Sequence, residues 1–125
     1  MAWSTSDHRK AYATDGFLTI FSEDGETVYG LDTVFLLKGE SYTLTFTIRR
    51  VSGYHGTGPS DLDVLVYSSS TPSISSNSYN TDGTYSLTFT PDEKVTKVKF
   101  GITSTAGTGT KWLVWDTKCI ATITR

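Results

Sequence analysis

One cysteine, Cys119, stands in 125 residues, so no internal disulfide can form and the fold does not depend on an oxidising compartment. Charge imbalance is also lacking: the formal net charge is −2 and the isoelectric point is near 5.6. Nucleic-acid binding normally demands a basic stripe, and an anionic membrane surface asks for the same, so neither is an expected partner. No apolar run approaches the roughly 20 residues of a membrane span, and membrane insertion is not expected. The opening residues 1–10 are polar and have no apolar centre of an export signal. The expectation is a chain not exported by that route, or a domain of something longer. Histidines are few, and His8 and His55 lie far apart, away from any cysteine or acidic cluster with ligand spacing. There is no Gly-x-Ser-x-Gly elbow and no phosphate loop. Asp61, Asp63 and Asp116 are the carboxylates an acid–base pair would draw on. On solvent-facing strand and loop positions they read as surface charges, and catalysis is not expected.

Helical apolar periodicity is missing too, whereas Thr, Ser, Tyr, Val and Phe are abundant. β-Branched and aromatic residues suit a pleated, half-buried surface, so the reading is all-β. A chain of this length forms one domain with a core of its own. Strand candidates recur at short spacing: residues 17–21, 27–37 (bent or bulged near Gly30 to Asp32), 41–50, 62–67, 84–90, 95–103 and 111–124. Turn signals separate them, as in a two-sheet antiparallel β-sandwich of the jelly-roll type. The polar segment 68–80 contains Pro72 and reads as a loop.

The clearest segment is 41–50, which follows a Lys38-Gly39 turn. Tyr42, Leu44, Phe46 and Ile48 alternate with Ser41, Thr43, Thr45, Thr47 and Arg49. A period of two places the first set in the core and the second on an outer face. In the last strand the same period puts Leu113, Trp115, Cys119 and Ile123 inward and Trp112, Val114, Asp116 and Lys118 outward. Cys119 then reads as a buried structural thiol. Leu62, Val64 and Val66 point inward, with Asp63 and Tyr67 outward. Val98, Phe100 and Ile102 point inward, with Lys97 and Lys99 outward.

The segment Leu37-Lys-Gly-Glu-Ser-Tyr-Thr-Leu-Thr-Phe-Thr-Ile-Arg49 resembles a strand of jelly-roll carbohydrate-binding modules of the galactose-binding-like group. Residues 83–90 and Trp112-Leu-Val-Trp-Asp-Thr117 resemble its later and closing strands, and the similarity covers about residues 15–124. Such modules are attached to glycanases or inserted in tail and baseplate proteins of phages, where they bind cell-wall saccharide. The resemblance therefore implies a non-catalytic polysaccharide-binding domain of a larger assembly, in a virion tail or outside the cell. It also implies a structural calcium ion, to which Asp116 would contribute, although the family's opening Asn-x-x-Phe-Glu segment is absent here.

A pyranose offers an apolar C–H face and a hydroxyl rim, so its site needs an exposed aromatic plane and planar polar donors. The candidates are Arg49 with Thr45 and Thr47 on the outer face of the 41–50 strand, and the aromatics Trp112, Tyr54, Tyr67 and Tyr79. His55 joins Tyr54 in a glycine-rich loop. The bland reading of Arg49 is a surface ion pair with Asp63. The rival reading of the whole chain is a structural module that binds other protein chains through an apolar patch around Val114 and Ile120.

Overall fold

Tyr42, Leu44, Phe46 and Ile48 are buried and Thr43, Thr45 and Thr47 are half-exposed along one strand, as a period of two demands. The structure is a computed structural model that describes residues 3–51, 60–105 and 107–122. Among them are ten strands and no helix: β1 (Ser4–Thr5), β2 (Ala11–Thr14), β3 (Phe17–Glu23), β4 (Thr27–Phe35), β5 (Tyr42–Val51), β6 (Leu62–Tyr67), β7 (Ser75–Tyr79), β8 (Gly83–Phe89), β9 (Val95–Thr103) and β10 (Gly109–Ala121). They make two antiparallel sheets of five, ordered β1-β4-β9-β6-β7 and β2-β3-β10-β5-β8. We call these the groove sheet and the barred sheet. The fold is an all-β sandwich consistent with a jelly roll.

The sheets meet through aromatic side chains. Phe46 of β5 lies edge-on to Phe100 of β9, with ring centroids 5.2 Å apart, and edge-on to Tyr79 of β7 at 5.3 Å. Phe100 in turn takes the edge of Trp3 at 5.5 Å. Leu18 of β3 fills the space above Gly30 of β4, where an added Cβ would stand 2.8 Å from a Leu18 methyl. Among the described residues every buried side-chain polar atom has a partner; Ser22, for example, donates to the Glu26 carbonyl and meets Ser104.

Three segments depart from expectation. β4 pairs with β9 in unbroken register from Thr27 to Phe35, so there is no bulge at Gly30 to Asp32. Segment 75–79 is an edge strand rather than part of a loop, because Tyr79 turns into the core beside Phe46 while Ser76 and Ser78 face out. The third departure is in β10. Trp115 pairs with Thr47 and Lys118 with Thr45, so β10 spends three residues where β5 spends two. The extra residue is a β-bulge, and Asp116 in it adopts a left-handed φ of 56°.

That bulge flips the parity of the strand. Downstream, Cys119 pairs with inward Leu44 and packs half-buried against the core, while Ile120 is exposed. Upstream, Trp112 and Val114 are inward and fully buried, and Leu113 and Trp115 are outward. Trp112 therefore cannot stack on a ligand; its indole Nε1 donates to the Ser60 carbonyl at 3.0 Å. Val114 is likewise core, and Ile123 lies outside the described residues.

Two measurements check this packing. Trp112→Ala should lower unfolding free energy by about 3–5 kcal/mol in urea denaturation, and a loss under about 1 kcal/mol would contradict the buried placement. Burial pushes the Cys119 thiol up to about 11. Iodoacetamide should therefore label the native chain much more slowly than the denatured one at mildly alkaline pH, and equal rates would refute it.

Candidate functional site

One rung of cross-strand partners defines a depression on the outer face of the groove sheet. Tyr29 of β4 stands opposite Gly101 of β9, Gly101 opposite Asp63 of β6, and Asp63 opposite Ser78 of β7. Gly101 has no side chain, so the rung is high at Tyr29, low in the middle and high again at Asp63. The result is a groove of about 310 Å³, lined also by Thr27, Leu65, Ser76, Lys99 and Thr103. That volume sits at the small end of ligand sites, about 300–1,000 Å³.

The adjoining rung supplies charge. Lys99 pairs with Leu31 and Leu65, and its ammonium lies over the Tyr29 ring at 5.1 Å and the Tyr67 ring at 6.0 Å. No carboxylate lies within ion-pair distance of Lys99 among the described residues. Its charge is held against aromatic faces by cation–π attraction and stays available to a ligand. The Ser78 hydroxyl donates to Asp63 at 2.6 Å, which fixes one carboxylate oxygen and leaves acceptor capacity on the other. Burial, and then neighbouring Tyr29, raises the Tyr67 phenol above its ordinary range, so it remains a neutral donor near neutrality. The groove thus offers aromatic surface, a cationic donor, an anionic acceptor and a hydroxyl rim.

The expected site residues are divided between the two sheets. Tyr67 is outward beside Lys99, on the groove sheet. Thr47 and Arg49 are outward on the barred sheet, where Thr47 shares a hydrogen bond with Thr84 at 2.9 Å and Arg49 is exposed opposite Leu113. Arg49 and Asp63 belong to different sheets, so the ion pair suggested between them does not form. Trp112 and Tyr79 are buried in the core, which removes both from any ligand surface. Tyr54 and His55 lie outside the described residues.

Asp116 is exposed at the bulge and shares a hollow with Asp15. Their carboxylates supply at most four of the roughly six to eight oxygens that calcium takes. Among the described residues no group of three or more His, Cys, Asp or Glu gathers as a metal site. The carboxylates present do not by themselves complete a calcium cage.

Tyr29, Gly101, Asp63, Ser78 and Lys99 are the groove residues that sequence reasoning did not offer as ligand contacts. Lys99 is outward as alternation implies, but nothing local to it points to Tyr29, which lies 70 residues earlier. The legible signal was Gly101, a glycine in the middle of a β-strand pattern, which often marks a close approach or a hollow.

No protein-family model matches the chain, and no curated protein does. Solved structures do. A CBM4 carbohydrate-binding module superposes with a TM-score of 0.66 at 14% identity, covering 90% of this chain and 88% of that one. The N-terminal cellulose-binding domain of Cellulomonas fimi β-1,4-glucanase C gives 0.57 at 17% identity, covering 93% and 90%. The enzymatically active domain of bacteriophage CBA120 tailspike protein 4 gives 0.52 at 13% identity, over 96% of this chain but 19% of that one. The chain has the fold of carbohydrate-binding modules.

Gly101 gives a direct check of the groove floor. A Cβ there would meet the Tyr29 Cβ at 3.1 Å and the Val28 carbonyl at 3.4 Å. Gly101→Ala should therefore cost roughly 1–3 kcal/mol by overpacking, read from thermal or urea unfolding. A neutral or stabilising result would show that the depression is wider than described.

Proposed function

We propose that the protein is a non-catalytic saccharide-binding module and that its ligand lies in the groove over Gly101. The observation that carries this reading is the single rung Tyr29, Gly101, Asp63 and Ser78, with Lys99 beside it. The aromatic wall suits the C–H face of a sugar, and the ammonium, carboxylate and hydroxyls suit its rim. The shared fold with a cellulose-binding domain supports the ligand class. Cell-wall or other polysaccharide is the substrate class, and Tyr67 is the contact carried forward from the sequence. Few contacts on an open face place the affinity at roughly −4 to −6 kcal/mol, in the tens of micromolar to millimolar range. We further propose a setting inside a larger protein, in a phage tail or outside the cell. Its support is the tailspike domain, in which this fold accounts for a minor part of the chain.

A second reading, an assembly module, has one observation behind it. Phe35 and Leu37 are each 69% exposed and lie with Val95 at one end of the sandwich, a patch suited to another protein chain.

A glycan array and cell-wall pull-down of wild type, Tyr29→Ala, Lys99→Ala and Arg49→Ala separates these. Both groove variants should weaken binding by roughly tenfold or more, about 1.4 kcal/mol, with Arg49→Ala close to wild type. Loss confined to Arg49→Ala would move the site to the Thr47–Arg49 face. Wild type binding to no saccharide at all would sink the reading in favour of assembly.

A further inference from the structure

A second hollow of about 400 Å³, walled mainly by the barred sheet, shares no lining residue with the groove. Its walls come from two tight backbone features. The β2–β3 hairpin turns on Asp15-Gly16, with φ of 56° and 82°, the two left-handed residues that a two-residue turn of this twist requires. The β10 bulge places Asp116 there, also left-handed. The aromatic wall is Phe17 beside Trp115, ring centroids 5.3 Å apart and planes at 55°, with Trp3 also lining the hollow. Phe17 is 38% exposed, so this is accessible aromatic surface.

The charge in this hollow has one sign. Asp15 and Asp116 line it, no lysine, arginine or histidine does, and neither carboxylate has an ion-pair partner among the described residues. A neutral sugar would give both carboxylates hydroxyl donors but leave their charge uncompensated. An inorganic divalent cation would use the carboxylates but leave the aromatic wall without a role. The complementary ligand is an organic ammonium on an apolar body: its C–H surface lies on the rings, and its charge sits near the carboxylates and within reach of the Trp115 face.

We propose that this hollow is a second ligand site, distinct from the groove, for a free-amine hexosamine unit of a saccharide. Phe17 and Trp115 take its C–H face, and Asp15 and Asp116 take its ammonium.

The test uses a glucosamine trimer with free amines and its N-acetylated counterpart, titrated calorimetrically against the full chain. Wild type should bind the free-amine trimer at least tenfold more tightly, and that preference should shrink as salt rises. Asp15→Asn with Asp116→Asn should abolish the preference. Asparagine tolerates left-handed φ as aspartate does, so the turn and the bulge survive while the charge goes. The single variants should each lose part of it, and Trp115→Ala should weaken both trimers. Lys99→Ala, in the groove, should leave the preference intact, so this site and the groove can fail separately. Equal affinity for the two trimers overturns the proposal, as does a preference that survives the double variant or one that disappears with Lys99→Ala. Displacement of the trimer by calcium also overturns it, by assigning the hollow to a metal.

Discussion

The edge-on meeting of Phe46 and Phe100 ties the sandwich together. Each belongs to an interior strand of its own sheet, β9 at the centre of one and β5 next to edge strand β8 of the other. Each ring then collects a peripheral segment: Phe46 takes Tyr79 from edge strand β7, and Phe100 takes Trp3 from ahead of β1. Aromatic pairs of this geometry contribute roughly 0.5–1.5 kcal/mol each beyond the area they bury. Their larger effect is positional. They fix the spacing and rotation of the two sheets, and so the outer face that each sheet presents.

Where a strand alternated without interruption, its orientation could be read from residue types. β5, β6 and β9 show this, with Leu44, Val64 and Phe100 inward and Thr45, Asp63 and Lys99 outward. β10 could not be read that way, because its alternation passes through one extra residue. Asp116 is compatible with left-handed backbone but does not announce it, and one unannounced residue inverts every assignment on its far side. Uninterrupted alternation puts Trp112 on the surface, whereas it is among the most buried side chains of the molecule. β7 failed for a different reason. Its serines and Asn77 have poor strand propensity, and the strand exists because β6 supplies a pairing edge and Phe46 a pocket for Tyr79.

The groove shows a further limit. Tyr67 and Lys99 were legible as outward residues, and the hydroxyl-rich face of β5 was legible as polar. What makes a site of Tyr29, Gly101, Asp63 and Ser78 is that four strands place them on one rung. Strand order and register are long-range quantities, and neither is written in the local pattern of any one strand. The same information separates Tyr67 from Arg49, two residues expected to share a platform that instead lie on opposite sides of the sandwich.

The groove and the hollow differ in the charge that no ion pair answers. Among the described residues Lys99 makes no ion pair in the groove, although Asp63 also lines it, and Asp15 and Asp116 make none in the hollow. The groove and the hollow share no lining residue, so they are separate surfaces of one molecule. On the readings proposed here, simultaneous occupancy requires either two ligand chains or one long chain that bends around the domain. Two weak sites on separate surfaces would favour crosslinking of a polysaccharide mesh over tight capture of a single strand. Avidity then depends on how the mesh presents its chains, because an effective concentration rises only where geometry lets both sites engage. A rigid core between the faces sets that geometry, which returns the functional question to the contact of Phe46 with Phe100.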